Sequence, residues 1–228
     1  MKKVVVLSLG GSLILPDEVD VKFLEKFRDV IKKYENKYNF VIVCGGGSVA
    51  RKYISALRQS GKNEFLQSMA GISITRVNAR FMTYFFGRDA NEGVPHDMKQ
   101  VKNLLRKNNV VFCGALRYAS HQTSDSTAAK LANFFNTEFV NLTVVSGLYD
   151  KDPTKNKNAH FIPTISWDEF YDRARKIEFK PGQHFVLDQK AAKIIKNYKI
   201  PTYILGKDLK ELDNFLAGKN FNGTVIRD

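Results

Sequence analysis

Five short runs constrain this chain more than any other feature: Val4 to Leu9, Phe40 to Cys44, Val110 to Cys113, Phe139 to Val145 and Thr202 to Leu205. Each is too short for a helix and rich in β-branched or aromatic residues, so each is expected to be a strand. Helical patterns lie between them. Val21, Leu24, Phe27, Ile31 and Tyr34 keep to one face at a period of 3.6, as do Ala191, Ile194, Ile195 and Tyr198. Strands alternating with helices predict an α/β fold with a mostly parallel sheet covered on both sides. Ligands of such sheets gather at the carboxyl ends of the strands, so function is to be sought just after each run. No repeat, low-complexity segment or linker interrupts the 228 residues, and 1–228 is expected to be a single domain.

The opening stretch, MKKVVVLSLGGSLILPD, has two readings. Two lysines before an apolar run resemble a secretory leader; the same letters spell a buried strand entering a glycine turn. Ser8, Gly10 and Gly11 interrupt the apolar run, and no small-residue cleavage pattern precedes Pro16, which favours the strand. The two cysteines, Cys44 and Cys113, each end an apolar run beside glycine, where a small buried thiol is expected rather than a bridge or a metal ligand. A reduced, cytoplasmic protein is the expectation. No stretch approaches the ~20 apolar residues of a membrane span. The net charge of +13 favours anionic partners, but the lysines are spread along polar faces rather than gathered in a basic block, so nucleic acid is not an expected partner.

Two strand ends are glycine-rich, LSLGGS at 7–12 and CGGGSVARKY at 44–53. Glycine lets backbone N–H groups close on an anion, and Ser48 can cap a helix whose positive end adds to the attraction. The alternative is glycine needed for tight turns only. The third strand end leads through YASHQTSDSTAAKLA, where Thr123 and Ser124 can grip a phosphoryl group at a helix start. Asp125 would repel such a group unless it holds a cation; otherwise it is an ordinary N-cap. His121 is read as a surface residue. The fourth strand end carries Tyr149, Asp152 and Pro153 in a polar loop suited to wrapping a nucleotide base, or simply a surface connection.

In order along the chain, SLGGSLI, VCGGGSVARKYI, GISITRVNA, TSDSTAAKLA, GLYDKDP, LDQKAAKII and the terminal NGTVIRD resemble the archaeal-type uridylate kinases of the amino acid kinase family. The resemblance implies a three-layer αβα sandwich around a mostly parallel sheet, transfer of the γ-phosphoryl of ATP, with Mg²⁺, to UMP, and assembly as a homohexamer. It further implies that Ser8, Leu9, Gly10, Gly11, Ser12, Gly47 and Arg51 face the ATP phosphates, and that Thr143, Val144, Tyr149 and Asp152 hold the nucleoside of ATP. Gly46, Ser68, Thr123 and Ser124 fall on the UMP side, and Asp125 matches the aspartate that organises cationic groups around the transferring phosphoryl. No side chain is assigned as a metal ligand.

The chain departs from the family pattern within these sites. Ser8 stands where many amino acid kinases have a lysine, Ser68 replaces an aspartate that accepts from the UMP ribose, and Val144 and Ser146 replace an Asn and an Asp. The acceptor loop is lengthened, with ALRYASHQ in place of a Pro-Gly turn. Two other readings follow from these departures: a sibling kinase with another small phosphate or carboxylate acceptor, or a nucleotide-binding homologue without turnover. The absence of a histidine after GGGSVA speaks against an isopentenyl phosphate acceptor.

Overall fold

A computed structural model describes residues 2–118, 123–176 and 186–228. The chain opens with β1 (Lys3–Leu9), a one-turn α1 (Gly11–Ile14) and α2 (Val21–Tyr34). Then come β2 (Tyr38–Cys44), α3 (Gly47–Gln59), the long α4 (Glu64–Phe86) and α5 (Met98–Leu104). The second half holds β3 (Val110–Cys113), α6 (Ser124–Phe135), β4 (Phe139–Leu142) and the short strands β5 (Leu148–Tyr149), β6 (Phe161–Ile162) and β7 (Thr164–Ile165). It closes with α7 (Trp167–Arg175), α8 (Gln189–Asn197), β8 (Thr202–Leu205), α9 (Leu209–Ala217) and β9 (Thr224–Ile226).

Seven strands form one sheet in the order β3-β2-β1-β4-β8-β9-β7, and β5 and β6 pair apart from it as an antiparallel ribbon. Neighbours from β3 to β8 are parallel; β9 runs antiparallel to β8 and parallel to β7. Alternation along the central strands sends side chains to both faces. Val4, Val6, Val41, Val43 and Phe139 join Leu131 of α6, Phe170 of α7 and Ile195 of α8 on one side. Val5, Leu7, Phe40, Ile42 and Phe112 join Leu24 and Phe27 of α2, Met82 of α4 and Leu212 of α9 on the other. These are the three layers of an αβα sandwich. Cys44 and Cys113 are free and buried at the ends of β2 and β3, and burial pushes the Cys113 thiol up to about 12.

Two expectations need correction. The fourth strand ends at Leu142, not Val145: Gly10 turns away from β1 while its N–H donates to the Leu142 carbonyl (3.0 Å), so beyond that point β4 has no β1 partner to extend along. Ser48 does not cap α3. The helix starts at Gly47 with Gly46 as N-cap, which puts Ser48 inside the first turn, where its hydroxyl donates to the Pro16 carbonyl (3.2 Å).

Candidate active site

From β1 the chain fills the sheet toward β2 and β3, then returns to place β4 and β8 on the other side. Such a reversal leaves a crevice outside the carboxyl ends of the central strands. Here it is a cavity of about 170 Å³, with Gly10, Gly11 and Ser12 on one wall, Gly45, Gly46, Gly47 and Arg51 on the next, and Ser124, Asp125, Asn141, Thr143, Val144 and Val186 completing it.

The two glycine loops lock into one another. A Cβ on Gly11 would lie 2.3 Å from the Gly47 nitrogen, and one on Gly47 would lie 2.7 Å from the Gly11 carbonyl carbon. Gly47 also has φ +62°, a conformation that L side chains rarely adopt. The Asn78 side chain of α4 pins the second loop by donating to the Gly45 carbonyl (2.7 Å). No side chain caps the start of α3, which leaves its first N–H groups suited to an anion. Arg51 reaches the Ser12 hydroxyl (3.5 Å), and desolvation lowers the pKa of its guanidinium, a penalty that a bound anion would offset.

The opposite wall is acidic. The N-cap of α6 is Thr123, whose side chain forms a reciprocal capping box with Ser126; Asp125 therefore has no capping role. Its carboxylate, enclosed by protein but open to the cavity, accepts from the Ser8 hydroxyl (2.7 Å). Burial first, and the nearby Asp188 second, raise its pKa to about 7, against a smaller lowering by Ser8. Asp188 caps α8, accepting from the N–H groups of Lys190 (2.8 Å) and Ala191 (3.0 Å) and from the Thr123 hydroxyl. Its pKa too is raised by burial. Ser8, Asp125, Asp188 and Thr123 thus join β1, α6 and α8 in one polar cluster.

Most of the sequence-predicted residues meet here, but several stand apart. Ser8 lies beneath the cavity on Asp125, and the Leu9 side chain is buried in the core. Ser68 is half-buried on α4. Tyr149 packs edge to face on Phe161 (5.4 Å) and lines a second cavity, of about 490 Å³, with Asp172 and Arg173 of α7. Asp152 is exposed, its carboxylate accepting from the Thr154 N–H (2.9 Å) and hydroxyl (2.6 Å). His121 lies outside the described residues. Sequence reasoning missed Asp188 and Asn141. The signal for Asp188 was its place before the helical run AAKII, the position of an N-cap; Asn141, a polar residue inside an apolar strand, donates to the Val186 carbonyl (2.6 Å).

Interlocked glycine loops and an uncapped helix start facing the Asp125 carboxylate at a switch point define an α/β protein with a crevice whose backbone N–H groups suit an anion. Residues 3–206 match the Amino acid kinase family. The uridylate kinase of Thermococcus onnurineus is 35% identical over 224 residues, covering 97% of this chain and 98% of that protein. That of Thermoplasma volcanium is 33% identical over 229 residues, covering 100% and 99%. The crystal structure of the Archaeoglobus fulgidus uridylate kinase superposes with a TM-score of 0.83 at 33% identity, covering 99% of this chain and 100% of that one. The chain belongs to the amino acid kinase family.

Proposed function

We propose that the chain is a UMP kinase, transferring the γ-phosphoryl of ATP to UMP to give UDP and ADP. The observation that carries this reading is the cavity where two glycine loops face Asp125. Its backbone N–H groups and Arg51 suit the ATP phosphates, and Thr123 and Ser124 at the start of α6 suit the acceptor phosphate. UMP already offers an ionised phosphate oxygen, so the chain need supply no general base. Its work is positioning and charge stabilisation, which dominate phosphoryl transfer.

The donor set fits Mg²⁺. Asp125 and Asp188 offer only hard oxygen ligands, and among the described residues no three His, Cys, Asp or Glu side chains form a cage. Mg²⁺ takes one or two carboxylates and completes its shell with phosphate and water oxygens, so Asp125, the one carboxylate on the cavity wall among the described residues, would hold it. When bound it would neutralise charge on the transferring phosphoryl. Ser8 orients the Asp125 carboxylate, and Thr123 does the same for Asp188.

The reading includes a homohexamer in the cytoplasm. Exposed Leu66, Val77 and Tyr84 on α4, the last two 60% and 72% accessible, support self-association through that helix. The buried free thiols suit a reducing compartment, and among the described residues no helix is long and apolar enough to cross a membrane. ADP release measured with UMP, CMP, dUMP, AMP and GMP tests the assignment. Fastest turnover with UMP is expected, and no ADP with any of them would overturn it.

A further inference from the structure

We propose that Arg76 is a positioning residue for the phosphoryl acceptor, acting through the chain segment that leaves β3. The inference rests on the kinase reading above. Arg76 projects from α4, and its Nε donates to the Ala115 carbonyl (3.1 Å) while Nη2 donates to the Leu116 carbonyl. The hydroxyl of its neighbour Thr75 accepts from the Ala115 N–H (3.0 Å). Two adjacent side chains of one helix thereby satisfy three backbone polar groups of two consecutive residues, Ala115 and Leu116. Gly114 lets the two backbones approach: a Cβ there would stand 2.7 Å from the Arg76 nitrogen.

A guanidinium alone among side chains can serve two carbonyls from one rigid fork. Ala115 and Leu116 are buried, so without Arg76 their carbonyls would lose partners away from water. Among the described residues no carboxylate pairs with Arg76, and desolvation lowers the pKa of its guanidinium.

What it places is the acceptor side. From Leu116 the chain reaches Thr123, the cap of α6, within seven residues, and Ser124 and Asp125 follow. The same α4 carries Ser68 eight residues before Arg76, about 12 Å along the helix at 1.5 Å per residue. Phe65, one turn before Ser68, packs edge to face on Tyr118 at 4.8 Å. Arg76 therefore fixes the register between the helix that bears Ser68 and the segment 114–118, while the ATP-side loops are pinned by Asn78 and by Gly11 against Gly47.

The test is steady-state kinetics of Arg76→Ala and Arg76→Lys with UMP and ATP varied separately, alongside amide exchange of the Ala115 N–H. The KM for UMP should rise about tenfold in Arg76→Ala, equivalent to about 1.4 kcal/mol, with the KM for ATP within about twofold. Arg76→Lys, with one ammonium for two carbonyls, should fall between, and it carries the comparison if the alanine variant does not fold. Exchange at Ala115 should quicken while that of β1 and β2 is unchanged. Equal rises in both KM values, an unchanged KM for UMP in a folded variant, or unchanged exchange at Ala115 would overturn the proposal. Absence of ADP formation by the wild type with every nucleoside monophosphate would instead overturn the kinase reading, and exchange at Ala115 would then decide whether Arg76 holds the segment.

Discussion

Replacing Asp125 by asparagine should make the nucleotide-free protein more stable and the enzyme far slower. The folded state raises this carboxyl from 3.8 to about 7, because burial and Asp188 both oppose its charge. A raised pKa means that the native state binds more protons than the unfolded chain between those values, so stability falls as pH rises from about 4 to about 7. At 1.36 kcal/mol per pKa unit, ionising Asp125 at pH 8 costs up to about 4 kcal/mol, an upper figure because the carboxylate opens onto the cavity. At pH 5 the same cost is about 1 to 2 kcal/mol. The asparagine amide oxygen would still accept the Ser8 hydrogen bond, but the side chain would carry no charge. Urea unfolding without nucleotide should therefore show Asp125→Asn gaining on the wild type at pH 8 and gaining less at pH 5. Turnover should fall by at least ~100-fold, about 3 kcal/mol of transition-state stabilisation. Mg²⁺ with ATP should restore the stability of the wild type more than that of the variant, since only the wild type has a charge to offset. A variant that is less stable than the wild type at pH 8, or that keeps its turnover, would refute the assignment of Asp125 to the cationic centre.

The other predictions follow from the same geometry. Gly47→Val forces a β-branched residue to φ +62° against the Gly11 backbone, so it should cost at least ~2 kcal/mol of stability and weaken ATP binding strongly; a folded variant with unchanged ATP affinity by calorimetry would leave this loop a mere turn. Ser68→Asp supplies a charged acceptor for ribose hydroxyls and should lower the KM for UMP by up to roughly tenfold with kcat nearly constant; no improvement with UMP, CMP or dUMP counts against a ribose contact at this position. Thr123→Val removes the α6 cap and the hydroxyl on Asp188, so urea unfolding should show a loss of about 1 kcal/mol, and stability equal to the wild type would contradict the capping geometry.

The sheet was legible because its strands are buried on both faces and leave an uninterrupted apolar run. Val110–Cys113 and Thr202–Leu205 have the expected bounds, and the face read from Val21 to Tyr34 lies on one helix, with Leu24, Phe27 and Ile31 buried at helical spacing. The β5–β6 ribbon and β7 were not, being two residues long with little apolar pattern to read. β9 carries only Thr224, Val225 and Ile226, and is a strand through its pairing with β8, a partner that no local pattern announces.

The site divides along the same line. Glycines and hydroxyls clustered just after strands are local signals, and the residues of four strand ends gather in one cavity because a parallel sheet points all its carboxyl ends one way. Yet the character of the acidic wall depends on a residue 63 positions from Asp125, and proximity of that kind leaves no trace in spacing. Asp188 reads locally as a helix cap, which it is; it also helps raise Asp125 to about 7, because the N-termini of α6 and α8 meet where the Thr123 hydroxyl donates to Asp188. A helix start ordinarily favours a carboxylate's charge. Here burial outweighs both helix ends and raises both carboxyls, and the nearby charge of Asp188 raises Asp125 further, to about 7. Nucleotide binding with its cation should accordingly release protons, most at pH near 6, where Asp125 is still largely protonated in the free protein and ionised in the complex. Calorimetric titrations of ATP with Mg²⁺ in buffers of differing ionisation enthalpy measure that release directly. Heats independent of the buffer, after allowance for the protons that ATP itself releases to Mg²⁺, would show that the pair is already ionised in the free protein and that the acidic wall does not act as a cation trap.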